Sequence, residues 1–575
     1  MTTILTEVNS VLGIEIGSVQ TRAVLFDVVE ESYQFIASGF APATCGEPYF
    51  DVMPGVIETI HELQEITGRF FLDLNNKLII PSHGGVEGVD KLLITLSCGP
   101  DLNVVTFGLL NELSLETANK LARTLPLNIV DSFSINDRRS TQAQMDALLA
   151  AKPSILIFAG GSDRGATRTL GRTANKIASS LHLFKEDERP KVLFCGNRAM
   201  ARRVKELIEK ETSFNSTNNI RPEIENEDLT QASFDLNQLV IEEKLNTITG
   251  LERIAAFSNE KPQLTGIGHQ RVIRFLGKQY DPLRKVLGID LGSTHITAAH
   301  ANHQESQQIT LPLGTGFGLE NALQKTKFSE IEKWLPEALT ESQVMDYLWQ
   351  KTIFPNSLPV NQTDLNIELA LARHLLSMTM GELEAHAGLT TRSFEPVIVG
   401  GSILTRAATP WQMLTTLLDG IQPVGITPMV VDKHGLLSLL GAAARSNPLM
   451  PVQVLESTAF INLATVITVE GKAKRGMVML KARLQLASGK AREITLKQGE
   501  LVSLPLSFGE SGILIVKPET KVSIADVEVG KDPIKVRGGV CGLVFDTRGR
   551  PLILPADDNL RRERLEHWSI PPKMQ

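Results

Sequence analysis

Leu12-Gly-Ile-Glu-Ile-Gly-Ser18 returns later in the chain as Leu287-Gly-Ile-Asp-Leu-Gly-Ser293. Each copy is an apolar strand interrupted by one carboxylate, Glu15 or Asp290, and closed by a Gly-Ser turn, Gly17-Ser18 or Gly292-Ser293. Glycine lets backbone N–H groups come close to an anion, and a carboxylate beside such a turn can orient a hydrated Mg2+. A strand with this ending is therefore a place to hold a phosphate and its metal ion. Alone, the pattern is more often a plain tight turn; its repetition gives it weight.

Outward from the first copy, residues 22–27 and 33–39 alternate as strands do, 56–67 has helical spacing, and 91–97 is a short apolar strand. Residues 115–125 follow a helical pattern, with Ser114 placed as its N-cap. Residues 154–159 form a buried-type strand that runs into Gly160-Gly161-Ser162. A helix over 167–181, a strand over 191–195 and a helix over 202–210 follow, and this alternation predicts parallel α/β packing. The polar stretch 211–231 reads as a linker, and helical stretches near 236–248 and 268–276 lead to the second copy.

The second copy repeats the plan. Strands are expected over 296–301 and 308–313, and helices over much of 329–349 and 363–386, with Pro336 interrupting the first. A strand over 395–399 then runs into Gly400-Gly401-Ser402. Both halves thus carry an early Gly-Ser turn and a late strand-Gly-Gly-Ser junction, as a duplicated lobe with unequal insertions would. From Val452 the texture changes to alternating strands, with turn signals at Ser488-Gly489 and near Gly509 and Gly512, and helical spacing returns only over 559–567. The expected fold class is α/β: duplicated lobes over 11–250, with an α/β insertion, and over 285–447, then a β-rich C-terminal domain over 452–575.

Composition narrows the class. A chain of 575 residues suits three or four domains at about 150 residues each. With 42% apolar and 21% charged residues it can build a core without disulfides or metals. A net charge of −7 speaks against a nucleic-acid-binding surface. Cys45, Cys98, Cys195 and Cys541 lack metal-ligand spacing and fit a reducing cytoplasm. Neither a signal peptide nor a membrane span is expected, since no apolar run reaches about 18 residues.

The duplicated strand-carboxylate-x-Gly-Ser motif with late Gly-Gly resembles the actin, sugar-kinase and Hsp70 ATPase superfamily, in which two ribonuclease-H-like lobes close on ATP. The resemblance narrows with GIEIGSVQTRAVLFD (13–27), ILIFAGGSDRGATRTLGRTANKIA (155–178), VLFCGN (192–197) and EPVIVGGSILTRAATPWQMLTTLLDGIQPVGITPMVVDKHGLLSLLGAAA (395–444). These stretches resemble the glutamate mutase accessory family (MutL or GlmL) over roughly residues 11–445. That resemblance implies an ATP-binding, actin-like accessory protein: a chaperone that assists or reactivates an adenosylcobalamin-dependent mutase, such as glutamate (methylaspartate) mutase. It implies ATP and Mg2+ as cofactors, mutase subunits as partners, no nucleic acid or membrane, and a cytoplasmic location. The β-rich domain would contact the partner or complete a homo-oligomer.

Carried over residue by residue, the resemblance gives Glu15 and Asp290 the metal-orienting and catalytic positions. Gly17, Ser18, Thr21 and Arg22 fall in the first phosphate motif, Gly292, Ser293 and Thr294 in the second, and Gly400, Gly401 and Ser402 in the adenosine loop. Glu15 stands where the motif usually has Asp, and Arg22 where Lys is frequent; its planar fork is not equivalent. In the second copy Ile296 and Thr297 take the places of Thr21 and Arg22. These departures favour nucleotide binding and switching over turnover, with a slow ATPase as the only activity expected.

Two further readings compete: a small-molecule or acyl kinase of the same fold, for which Asp101 and Asp131 are the candidate bases, and a degenerate, nucleotide-free scaffold. Residues 160–165 read equally as an anion loop at a helix N-terminus and as a sharp turn. Residues 165–173 mimic a P-loop but are one residue too long and carry Arg for Lys. Gly314-Thr-Gly-Phe-Gly318 lacks the strand–helix context of a dinucleotide fingerprint. Asp432-Lys-His434-Gly435 misses the spacing of a cobalamin-binding signature and reads as an ordinary loop.

Overall fold

The computed structural model describes residues 9–163, 165–531 and 533–572, so residues 1–8 of the expected leaderless N-terminus and Arg164 of the 160–165 loop lie outside the described residues. The chain divides into two compact units, one holding residues up to 26 together with 37–268, the other 27–36 together with 269 onward.

In the first unit, β1 (Val11–Ile16) turns at Gly17-Ser18 into β2 (Gln20–Val29), and β3 (Ser32–Pro42) follows. After α1 (Met53–Thr67), β4 (Lys91–Leu96) pairs parallel to β1. The chain then builds an inserted layer. It runs β5 (Leu102–Phe107), α2 (Glu116–Arg123), β6 (Leu127–Phe133), α3 (Thr141–Ala151), β7 (Ile155–Phe158), α4 (Thr167–Leu181), β8 (Lys191–Phe194), α5 (Ala201–Ile208) and β9 (Phe214–Ser216). It returns through α6 (Thr230–Thr247) to β10 (Gln263–Leu264), which pairs parallel to β4. The main sheet has the order β10-β4-β1-β2-β3, with β2 antiparallel to β1.

The second unit repeats this plan with β11 (Lys285–Leu291), β12 (Ile296–Ala301), β13 (Ser306–Leu311), β14 (Phe394–Gly400) and β15 (Gly425–Asp432). Their order is β13-β12-β11-β14-β15, again with the second strand antiparallel and the fourth and fifth parallel to the first. This shared order is that of the expected ribonuclease-H-like lobes. The register agrees residue by residue: Glu15 faces Arg22 and Ile16 faces Thr21, while Asp290 faces Thr297 and Leu291 faces Ile296. Cross-strand partners share a face of the sheet, so the two hairpins present equivalent positions.

The two late Gly-Gly-Ser junctions are not equivalent, contrary to the sequence expectation. Gly400 ends β14, beside β11, whereas β7 leads to Gly160 in the inserted five-stranded sheet. The first-unit strand in the place of β14 is β4, which leads into Ser97-Cys98-Gly99. A central parallel strand buried on both faces is a short apolar run in any sheet, so its sequence does not say which sheet it joins. Ser114 also differs from expectation. It lies in a π-type turn, Asn111–Leu115, and its Oγ accepts N–H bonds from Leu109 and Leu110 at 2.8 and 3.1 Å instead of capping α2.

Three C-terminal strands continue the second sheet. β16 (Ile461–Thr468) pairs antiparallel to β15, Leu543–Asp546 lies parallel to β16, and Leu501–Leu504 closes the edge. The other long strands of this β-rich region form a four-stranded antiparallel sheet with Val478–Leu486 inside it. Its alternating burial puts Leu480, Ala482 and Leu484 in a core with Leu514 and Val536. The segment 411–427 contributes packing and charge. Asp419 accepts from Arg373 Nε at 2.9 Å and Arg548 Nη1 at 2.8 Å, while Arg548 and Arg550 both bind Asp546. Among the described residues no helix is long and apolar enough to cross a membrane.

Candidate functional site

The two Gly-Ser turns have the same local geometry. A Cβ on Gly17 would lie 2.5 Å from Gln20 O, and a Cβ on Gly292 would lie 2.5 Å from His295 O. Neither distance is tolerable, so glycine is required at both positions by close approach of the turn to itself. Gly17 N–H closes its turn on Gln20 O at 3.0 Å. Glu15, Ser18, Asp290, Ser293 and Thr294 are all partly exposed, so both turns are open to a ligand.

The first turn has a cation close to its carboxylate. Arg22 Nη1 lies 3.1 Å from Glu15 Oε2, and both side chains are largely covered. The first carboxylate therefore carries its own counterion, which suits it poorly to hold a cation. Thr21 packs elsewhere. It is buried, its strand partner is the core residue Ile16, and its Oγ1 lies 3.4 Å from where a Gly55 Cβ in α1 would sit. Thr21 and Arg22 point to opposite faces, so the structure does not bring them together.

Behind the first turn stands Cys45, whose Sγ lies 3.8 Å from Gly17 O and 4.0 Å from Ser18 O. A hydrogen bond from the Cys98 thiol holds the Cys45 thiol down at about 7, against the opposing effect of burial. Cys98, the donor of that hydrogen bond and buried, is pushed well up. Lys244 donates to Cys98 O at 2.8 Å and Pro100 O at 3.1 Å, tying the segment after β4 to α6.

In the second unit the carboxyl ends of β11, β14 and β15 converge. A Cβ on Gly400 would lie 3.3 Å from Asp290 Oδ1 and 3.9 Å from Asp432 Cβ. Gly401 has φ +122°, and its Cβ would lie 2.6 Å from Leu291 O, so Gly400-Gly401 lets β14 end tight against β11. Ser402 is exposed and opens the short helix Ser402–Thr405. Asp432 caps the helix Leu436–Ala443: its two carboxylate oxygens accept the Leu436 and Leu437 N–H groups, each at 2.9 Å. The Asp432-Lys-His434-Gly435 segment is thus the turn between β15 and that helix, in keeping with its reading as an ordinary loop.

Sequence reasoning missed what holds the second turn. The Gly314–Gly318 loop wraps it: Thr315 N–H donates to Gly292 O, and the Gly316 and Gly318 N–H groups both donate to Ser293 O, each at 3.0 Å. Cβ atoms on Gly314, Gly316 and Gly318 would lie 2.0 Å from Ser293 O, 2.2 Å from Ser293 Oγ and 2.1 Å from Thr294 O. Alternate glycines just after a strand were the available signal of this crowding.

A magnesium nucleotide needs few protein ligands, because Mg2+ keeps waters and phosphate oxygens around it. Asp290 fits that demand: it is a partly exposed carboxylate beside the Gly292–Thr294 turn and the Gly400 cradle that a side chain would fill. Among the described residues no group of three or more His, Cys, Asp or Glu forms a metal cage. Asp131, a candidate kinase base, lies on β6 of the inserted sheet and is paired with Arg139 at 2.6 Å. It is not brought to either turn.

Loose overlays relate the chain to several solved structures. They include the xylulose kinase from Bifidobacterium adolescentis (12% identity, TM-score 0.29, 78% of this chain and 93% of that one). A glycerol dehydratase reactivase matches at 10% identity and TM-score 0.30, over 76% of this chain and all of that one. The EutJ protein from Carboxydothermus hydrogenoformans matches at 8% and 0.28, over 76% and 89%. At these TM-scores the fold rests on strand order and turn geometry instead. No curated protein matches the sequence. The sequence profile of one family, described as MutL protein, spans residues 11–459, which is most of the chain. The chain belongs to the MutL protein family.

Proposed function

We propose that this chain is an ATP-binding accessory protein that assists or reactivates an adenosylcobalamin-dependent mutase of the glutamate mutase kind. The observation that carries the nucleotide part is the twinned turn, in which Gly17 and Gly292 each bring a would-be Cβ to 2.5 Å from the carbonyl three residues on. In this reading Gly292, Ser293 and Thr294 hold phosphate oxygens, Asp290 orients Mg2+ through water, and Gly400, Gly401 and Ser402 flank the adenosine. Gly17 and Ser18 offer backbone donors at the turn of the first unit itself. Bound Mg2+ would neutralise phosphate charge; the chain itself binds and positions.

Membership of the MutL family supports the accessory role; a cytoplasmic setting is part of the same proposal. The Glu15–Arg22 ion pair favours slow turnover or none, and it is also the observation behind a nucleotide-free scaffold. We further propose the division into lobes over 11–250 and 285–447, with 452–575 as the β-rich part that meets the mutase or a second copy.

The test uses the purified chain and a glutamate mutase holoenzyme inactivated by turnover. Mutase activity is expected to return on adding this chain, Mg·ATP and fresh adenosylcobalamin, and not when ATP is left out. Recovery that is absent with ATP, or identical without it, overturns the reading.

A further inference from the structure

The inserted sheet of the first unit has the order β6-β5-β7-β8-β9, and every neighbouring pair is parallel. In sequence terms this is 2-1-3-4-5, the doubly wound order, whose direction reverses between its first and third strands. Loops leaving such a pair of strands diverge and leave a crevice at their carboxyl ends, where open parallel sheets take their ligands. In this chain the reversal lies between β5 and β7.

A cavity of about 290 Å3 occupies that place. Leu109, Leu110 and Leu113 line it from the segment after β5, Gly160, Gly161, Ser162, Gly165 and Ala166 from the segment after β7, and Asn219, Ile220, Arg221 and Ile224 from the segment after β9. The walls are fitted to one another. Gly160, at φ +145°, has no room for a Cβ, which would lie 2.6 Å from Leu109 Cγ. The carbonyls of Gly161 and Gly165 are held by Asn219 and Asn197 amides at 3.0 and 2.7 Å, and both asparagines are buried. Ser114 fixes the opposite wall through Leu109 and Leu110. The mouth is apolar and wet: Leu110, Ile135 and Ile224 are 42%, 51% and 63% exposed. Exposed apolar side chains gathered around one concave site, with a few polar groups inside, are the usual make-up of a small-molecule pocket.

We propose that this cavity is a second ligand site, distinct from the twinned turns, for a small organic anion of mononucleotide size. Its flat apolar body lies against Leu109, Leu113, Ile135 and Ile224, and its anionic end meets Gly165 and Ala166, where α4 begins without a side-chain cap. The volume is at the lower end for ligand pockets, so one ring system and one phosphate or carboxylate fill it.

Methyl NMR on the full chain labelled at Ile and Leu, titrated with AMP, UMP and flavin mononucleotide without Mg2+, reads this site separately from the other. Methyls of Leu109, Leu113, Ile135, Ile220 and Ile224 report the cavity, and those of Ile289, Leu291 and Ile403 report the second-unit turn. Saturable shifts of the cavity methyls with at least one monophosphate, at a Kd below about 1 mM, are expected. The Thr169→Trp variant, which fills the cavity from α4, should weaken that binding at least about tenfold while the Ile289 and Leu291 signals keep their positions. Adenosine and inorganic phosphate, added separately, should each bind more weakly than AMP. No saturable shift at the cavity methyls with any of the three monophosphates overturns the proposal, as does unchanged binding in folded Thr169→Trp. Neither result bears on Mg·ATP at the turns.

Discussion

Gly318→Ala isolates the contribution of the Gly314–Gly318 loop to the second turn. Gly318 has φ −79°, which alanine adopts without strain, so the effect is purely steric. The new Cβ would lie 2.1 Å from Thr294 O, 2.7 Å from Gly314 N and 2.8 Å from Thr294 C, all backbone atoms. Restoring ordinary contact, at about 3.5 Å between heavy atoms, moves the loop and Thr294 O apart by about 1.4 Å. Overpacking of this kind costs about 1–3 kcal/mol, and rigid backbone neighbours put it in the upper half. Alanine returns about 0.5–1 kcal/mol by reducing unfolded-state entropy. A net loss of about 1–2.5 kcal/mol is expected, measured by urea denaturation. A shift of about 1.4 Å also breaks phosphate hydrogen bonds, each worth about 1.5–3 kcal/mol when charged, so Mg·ATP binding should weaken about ten- to a hundredfold. The control is Gly381→Ala on the exposed face of the helix Gln362–His386, where no atom lies within 4 Å of the new Cβ. It should stabilise by about 0.5–1 kcal/mol. Wild-type stability and nucleotide affinity in Gly318→Ala, with Gly381→Ala behaving as expected, would refute the reasoning.

Three other outcomes are expected. Asp419→Ala should destabilise the second unit by about 3–5 kcal/mol in urea, because it leaves Arg548, buried among Asp546 and Trp568, short of one counter-charge. A loss below about 1 kcal/mol would mean that Asp546 alone suffices. Burial lowers His269 to about 4, and both ring nitrogens lack partners. Below pH 6.5 the unfolded state takes up a proton that the folded state refuses, so stability should fall as pH drops from 6.5 to 4, by about 3 kcal/mol at most for this residue. His269→Leu should flatten that limb of the stability–pH curve. Alkylation of Cys45 by iodoacetamide, followed by peptide mass spectrometry, should titrate with a midpoint near 7, and Cys98→Ala should move the midpoint upward. An unmoved midpoint would remove the Cys98 hydrogen bond as the cause.

The duplicated hairpins were legible in the sequence because apolar periodicity and a Gly-Ser turn fix strand, turn and register at once. The helix over 167–181 was legible to the residue, matching Thr167–Leu181. What failed was sheet membership: β7 and β14 read alike as apolar runs ending in Gly-Gly-Ser, and only long-range pairing separates them. Thr21 could have been placed correctly. Adjacent strand residues face opposite ways, so it could not share the Arg22 side of the hairpin. Cys45 was beyond reach because its place behind the Gly17 turn depends on the return of the chain after β3. Asp432 was beyond reach as well, since it meets the Leu436 and Leu437 N–H groups from outside the N-cap position, which Gly435 holds.

Nucleotide binding at the twinned turns is the claim on which the rest depends. Isothermal titration of a non-hydrolysable ATP analogue with Mg2+ into the full chain tests it directly, with Gly400→Asp, whose carboxylate would crowd Asp290, as the paired variant. Wild type should bind one equivalent with a Kd below about 1 mM, and Gly400→Asp should lose at least about tenfold in affinity. A wild-type Kd above about 1 mM for the analogue, ATP and ADP alike would contradict the claim.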